Sequence, residues 1–195
     1  ILLFSSMCAY YLVRNTSLFN KAFFSVLVAS MIIPFQTLMI PLVNIYGAKL
    51  RLIQSAPIPL LIFLYAGFGS PLSVFIYHGF IKSIPLELEE ASRIDGCSTI
   101  QTFFKIVFPM LKPTSMTVFI LNIMWIWNDY LLPSLILGKE EVYTMPVKMK
   151  VFNGTYMNNW ELLIPALLLT ILPLLILYAF AQKWIIKGIV QGSIK

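Results

Sequence analysis

Residues 22–48 contain no Asp, Glu, Lys or Arg, and neither do residues 52–81 or 162–182. No other feature narrows the possible folds as much. A helix crossing a bilayer core needs about 20 consecutive, mostly apolar residues, and each run is long enough for one crossing. Residues 114–137 have the same character, with Asp129 as the one acid inside them. Composition agrees: 59% of residues are hydrophobic and 11% charged, against about 45–50% and 25% in soluble domains, and the mean hydropathy is +0.85. In lipid every backbone polar group must be satisfied within the protein, which helices of this length do. The expected fold class is therefore all-α integral membrane, a polytopic helical bundle. Pro34 and Pro41 in the first run, Gly67, Gly69 and Pro71 in the second, and Pro165 and Pro173 in the last predict kinks.

Residues 1–13 are also apolar and end at Arg14, but they are too short to span. With no initiator Met and no basic opening they do not read as a signal peptide. They read as the end of a further helix whose beginning is missing, which makes the chain a fragment with four complete spans.

Several function classes are excluded early. No G-x-x-x-x-G-K-[ST] loop occurs, so ATP hydrolysis is not expected on this chain. His78 is the only histidine, and Cys8 and Cys97 stand alone in different surroundings. Neither a disulfide framework nor a metal site is expected, and no cofactor is implied. There is no Gly-x-Ser-x-Gly and no pair of intramembrane acids, so an intramembrane enzyme lacks candidates. The net charge of +6 is scattered among loops, which suits an anionic membrane surface and not a nucleic acid.

Between the second and third runs lies residues 83–112, too long and too patterned for a plain connection. Pro85 suits the first position of a helix, and Glu87, Glu89 and Glu90 in its opening turns face the positive end of its dipole. Gly96 reads as the residue that ends that helix in a left-handed conformation. Ser98 and Gln101 then fit a capping box, and Phe103, Phe104, Val107 and Phe108 give the second helix an apolar side. Pro109 and Pro113 are expected to break it. The loop thus reads as helix, glycine turn, helix.

Glu90-Ala91-Ser92, Gly96 and Ile106-Val107-Phe108-Pro109 resemble the pattern E-A-A-x3-G-x9-I-x-L-P. That pattern is the cytoplasmic signature loop of permease subunits of binding-protein-dependent ABC importers. Ser92 replaces the second Ala and Phe108 the Leu. Glu89 to Gly96, Trp127-Asn128-Asp129-Tyr130, Thr144-Met145-Pro146-Val147 and the ending from Lys187 to Lys195 look most like the carbohydrate branch, in particular its maltose-permease-type second membrane subunit. The family has six spans, so by this resemblance the first and part of the second are absent here. His78 stands where the family commonly has Arg or another polar residue before Gly-Phe.

The resemblance implies one transmembrane domain over residues 1–195, with residues 83–112 as its coupling loop. It implies half of a translocation pore for a sugar, paired with a second permease subunit on two ATP-binding cassette ATPase subunits. An extracytoplasmic sugar-binding protein would deliver the solute. Glu90, Ala91, Arg93, Asp95 and Gly96 would couple to the ATPase, the small Ala91 and Ser92 allowing close approach. Counting Lys and Arg gives nine on the side of this loop (Arg14, Lys21, Lys82, Arg93, Lys105, Lys112, Lys183, Lys187, Lys195) and five on the other (Lys49, Arg51, Lys139, Lys148, Lys150). The positive-inside rule then puts the loop and the C-terminus in the cytoplasm of a multi-pass cell-membrane protein.

An intramembrane acid marks a functional site by default. Asn122, Trp125 and Asp129 recur at i, i+3 and i+7 on one helical face, with Asn128 adjacent. Amides, a carboxylate and indoles suit a sugar's hydroxyls and C–H faces, so these four are candidates for the substrate pathway. The plainer reading is an aromatic belt at the membrane interface with Asp129 bonded to a neighbouring helix. The outer loop from Lys139 to Trp160, with Tyr143, Asn153-Gly154 and Tyr156, is expected to face the binding protein or merely solvent. The tail from Lys183 reads as an ATPase contact or an anchor for the last span. Rival readings are an ion-driven secondary transporter, which also uses broken helices, and an ABC permease for a solute other than sugar.

Overall fold

The computed structural model describes residues 1–152 and 160–193, with side chains described for 1–150, 160–180 and 182. Among the described residues the regular structure is helical throughout. The elements are α1 (Leu2–Arg14), α2 (Leu18–Ser30), α3 (Phe35–Lys49), α4 (Leu52–Ser55), α5 (Pro57–Lys82), α6 (Leu86–Ile94), α7 (Thr99–Met110), α8 (Lys112–Asn128), α9 (Leu131–Ile136), α10 (Met145–Lys148) and α11 (Trp160–Ser193). Asn153-Gly154 and Tyr156 of the expected outer loop, and the tail side chains from Lys183 onward, lie outside the described residues.

Two helices, α5 and the Trp160–Phe180 part of α11, are long and apolar enough to cross a bilayer unaided. Two further crossings arise only if bent pairs are counted as single spans. The α7–α8 pair bends by 74°, and α2 and α3 are separated by a break over residues 31–34. The run 22–48 is thus a hinged pair and not one kinked helix. Its break falls just before Pro34, whose ring lacks an N–H and whose ψ of 133° is extended, while Pro41 is carried inside α3. At its far end α3 widens into a π-helical turn over Asn44–Lys49, and Arg51 then adopts a left-handed φ of 54°. By contrast, α5 runs unbroken through Gly67, Gly69 and Pro71.

The chain forms two compact units. The first comprises residues 1–33, 68–121 and 181–195. Its core joins Tyr10 of α1, Tyr77 and Ile81 of α5, Phe103 and Val107 of α7, and Val118 of α8. The loop between the spans therefore rests on the ends of membrane helices. Tyr77 donates a hydrogen bond to the Ser115 hydroxyl at 2.8 Å, and His78 stacks on Phe24 with ring centroids 4.0 Å apart. The second unit comprises residues 34–67 and 122–180 and buries Leu42, Leu60, Leu64, Leu132 and Ile136. Within it the Trp127 indole N–H donates to the Thr170 carbonyl at 3.0 Å, tying α8 to α11.

The loop itself follows its local chemistry, with two shifts. Pro85 stands one residue before α6 with an extended ψ of 136°, so it precedes the first turn where the first helical position was expected. Pro109 is absorbed in the last turn of α7, behind a π-helical stretch over Phe103–Val107. The break comes at Leu111, and Pro113 sits in the opening turn of α8, where no N–H is needed. The π-helical turn closes its hydrogen-bonded ring one residue later than an α-helical turn, and this wider turn precedes a proline that an α-helix interior would reject.

Candidate functional site

The helix–turn–helix over residues 86–110 is built from short-range signals. Gly96 has φ +82°. The Cys97 N–H reaches the Ser92 carbonyl and the Gly96 N–H the Arg93 carbonyl. This pair of bonds is the Schellman closure of α6. Two residues later the Ser98 hydroxyl accepts from the Gln101 N–H and the Gln101 side chain accepts from the Ser98 N–H, the expected capping box. The turn therefore fixes the angle between α6 and α7 from both sides.

On α6, Glu89 and Ser92 point inward, with side chains 1% and 5% exposed. Glu89 accepts from the Arg14 guanidinium at 2.8 Å and from the Tyr10 hydroxyl at 2.8 Å. Ser92 donates to the Glu89 carbonyl and lies 2.8 Å from the Thr102 hydroxyl of α7. That contact gives the serine, where the family pattern has alanine, a use: its hydroxyl is paired between the two loop helices. The other side of α6 is open. Glu90, Ala91, Arg93, Asp95 and Gly96 are exposed, and Ile94 is 87% exposed beside them. Among the described residues the side chains of Glu90, Arg93 and Asp95 have no ion-pair or hydrogen-bond partner. A short rigid helix thus presents an acid, a base, a small residue and an apolar tip outward. The sequence reading placed Glu89 only as an acid at a helix start and missed its buried role. Its one available signal was its position three residues before Ser92, on the same helical face.

The second group of candidates is partly assembled. Asp129 lies beyond the end of α8, because the helix stops at Asn128, so it does not continue the face of Asn122 and Trp125 as a seventh-residue repeat. Instead one carboxylate oxygen accepts from the Leu131 N–H at 3.0 Å, a local turn, and the other from the Tyr65 hydroxyl at 3.0 Å. Trp125 meets the same Tyr65 ring edge-on at 5.5 Å. Tyr65 thereby gathers Trp125 and Asp129, and the sequence offered no sign of it. Asn128 turns back on its own helix and donates to the Met124 carbonyl at 2.7 Å. Asn122 is buried in α8.

An all-helical chain with apolar helices of spanning length and an exposed helix–turn–helix between them defines a class, that of polytopic helical membrane proteins. Residues 1–191 match the family described as the binding-protein-dependent transport system inner membrane component, and the chain belongs to that family. Its relatives include the probable starch degradation products transport system permease protein AmyC of Thermoanaerobacterium thermosulfurigenes, 43% identical over the whole of this chain and 70% of its own length. The melibiose/raffinose/stachyose import permease protein MelC of Bacillus subtilis is 40% identical, again over the whole of this chain and 70% of its own length. The multiple sugar-binding transport system permease protein MsmG of Streptococcus mutans is 38% identical over the same shares. These relatives are permeases, so the chain is a transport subunit and not an enzyme.

Proposed function

We propose that this chain forms half of the pore of an ATP-driven sugar importer and receives the ATPase stroke through α6. The observation that carries the reading is the open face of α6: Glu90, Ala91, Arg93 and Asp95 are exposed, with no ion-pair or hydrogen-bond partner for the three charged side chains among the described residues, on a helix anchored from beneath. Charged groups of both signs around a small residue suit a groove lined with complementary charge, where charge-assisted hydrogen bonds form at short range. The loop 83–112 then acts as the coupling element of a single transmembrane domain. ATP-driven closure of two ATPase subunits moves α6, α7 follows through the Gly96 turn, and α8 follows α7, a rigid-body switch with the pore as its readout. The remaining partners are a second permease subunit, an extracytoplasmic binding protein and membrane lipid. In this reading the loop and the C-terminus face the cytoplasm.

Sugar as the solute rests on the relatives, whose names specify starch degradation products, melibiose, raffinose and stachyose. Trp125 and Asp129, gathered by Tyr65, are the residues we place along its path, with Asn122 and Asn128 nearby in sequence. Co-purification of the subunit with ATPase chains of the same cell tests the coupling. Capture is expected with the unaltered subunit and is expected to vanish with Glu90→Lys, while the variant still inserts in the membrane. Equal capture by both would refute the role of α6.

A further inference from the structure

Glu89 and Glu90 are neighbours with opposite fates. Glu90 is exposed, whereas the Glu89 carboxylate is almost fully buried and uses both oxygens on groups of α1, 75 and 79 residues away in sequence. Arg14 Nη2 lies 2.7 Å from the Glu89 carboxylate, and the same guanidinium nitrogen donates to the Ile84 carbonyl at 3.1 Å, in the short link between α5 and α6. Arg14 is the last residue of α1 and only 13% exposed. Its charge therefore grips the start of α6 and the strand of chain leading into it. Tyr10, one turn earlier on α1, adds a hydroxyl to Glu89 and packs its ring against Phe103 of α7 at 5.2 Å. A buried ion pair is poor evidence for stability, because desolvation offsets most of its attraction, and its best attested use is to set register between elements.

We propose that Glu89 is a positioning residue that clamps α6 to the end of α1, so that the two helices move as one body when the loop is pulled. This rests on the coupling role proposed above for α6. It adds a second route for the stroke: besides α7 and α8, the movement enters α1 directly through the Arg14–Glu89–Tyr10 cluster. The α1 route is short and rigid, whereas the α7 route passes through the Gly96 turn and the bend at Leu111.

The test uses the assembled complex in nanodiscs, with Cys8→Ser and Cys97→Ser. Nitroxides are placed at Tyr11→Cys on α1 and Leu88→Cys on α6. Both positions are exposed, and Leu88, two residues from Glu90, lies on roughly the opposite flank of α6. Electron–electron distance measurements are made without nucleotide and after trapping with ATP and vanadate. One narrow distance, the same in both states, is expected with Glu89 in place. Glu89→Gln is expected to broaden the distribution and make it shift on trapping, with ATPase capture kept. It is also expected to lower the solute moved per ATP by about tenfold, an ordinary size for coupling between sites, with maltotriose as the probe sugar. Tyr10→Phe, which removes a single hydrogen bond and keeps the ion pair, is expected to broaden the distribution less. A shift on trapping with Glu89 intact, or an unchanged narrow distance in Glu89→Gln, would overturn the clamp. Loss of ATPase capture in Glu89→Gln would also overturn it, by making Glu89 part of the docking face. Failure of the unaltered subunit to capture an ATPase would instead refute the coupling reading, and that result is read separately.

Discussion

Asp129 accepts hydrogen bonds on both carboxylate oxygens, one from Tyr65 and one from the Leu131 N–H, and an amide in its place can accept with only one. Asp129→Asn can still accept from the Leu131 N–H and can donate its NH2 to the Tyr65 phenol oxygen, so it replaces a charge-assisted bond by a neutral one, whereas Tyr65→Phe removes the bond outright. A hydrogen bond to a charged group contributes about 1.5–3 kcal/mol and a neutral one about 0.5–1.5 kcal/mol, so Tyr65→Phe is expected to lower the stability of the solubilised subunit by about 1.5–3 kcal/mol and Asp129→Asn by about 1 kcal/mol. The two should be strongly non-additive because they share one bond. A double-mutant cycle in thermal unfolding checks this, and additive losses would mean that the Tyr65–Asp129 bond carries little. The same variants, assayed for maltotriose uptake, bear on the proposed pathway: a raised KM is expected if this cluster meets sugar. At the same scale, Ser92 shows how one hydroxyl is used. The family pattern has alanine there, and the serine is accommodated because Thr102 lies within hydrogen-bonding distance.

The decisive element is the α6–turn–α7 unit. Three local devices hold it: the left-handed Gly96, the Schellman bonds behind it and the Ser98–Gln101 box ahead. A Cβ on Gly96 would meet nothing within 4 Å, so a side chain there fits in space and is opposed only by its conformation, at about 1–2 kcal/mol. Asp tolerates left-handed backbone better than most residues, so Gly96→Asp is expected to insert and accumulate normally. Relief of the strain should change the angle between α6 and α7 and abolish uptake while ATPase capture persists in part. Uptake at the unaltered rate would show that the turn angle does not matter. The bent pairs belong to the same scale. Each joins two helices at a break with a proline at or beside it, and α2, with 13 residues, and α8, with 17, each fall short of the about 20 residues of a full crossing.

At the scale of the whole molecule, Arg14 and the loop helix come to one end of the first unit, as the distribution of Lys and Arg between loops requires if that end is cytoplasmic. Single cysteines at Thr16 and Ile100, both exposed, should then react with a membrane-impermeant maleimide only after the cytoplasmic face is opened. Labelling of either from outside intact cells would reverse the orientation. The sequence by itself determined the membrane class, because charge-free runs of spanning length have no other stable home. It also determined the helix–turn–helix, because glycine turns and capping boxes act within a few residues. The five residues that the resemblance singles out, Glu90, Ala91, Arg93, Asp95 and Gly96, are exposed, and their coupling role is the proposal made above. Only the tertiary structure decided which of two adjacent glutamates is buried, that Asp129 ends a helix and answers to Tyr65, and that the first long run is hinged before Pro34. The physical reason is distance along the chain. The partners of Glu89 on α1 and the Tyr65 hydroxyl that meets Asp129 lie 64–79 residues away, and a contact of that reach is set by packing of whole helices, leaving no periodic trace in the residues that make it.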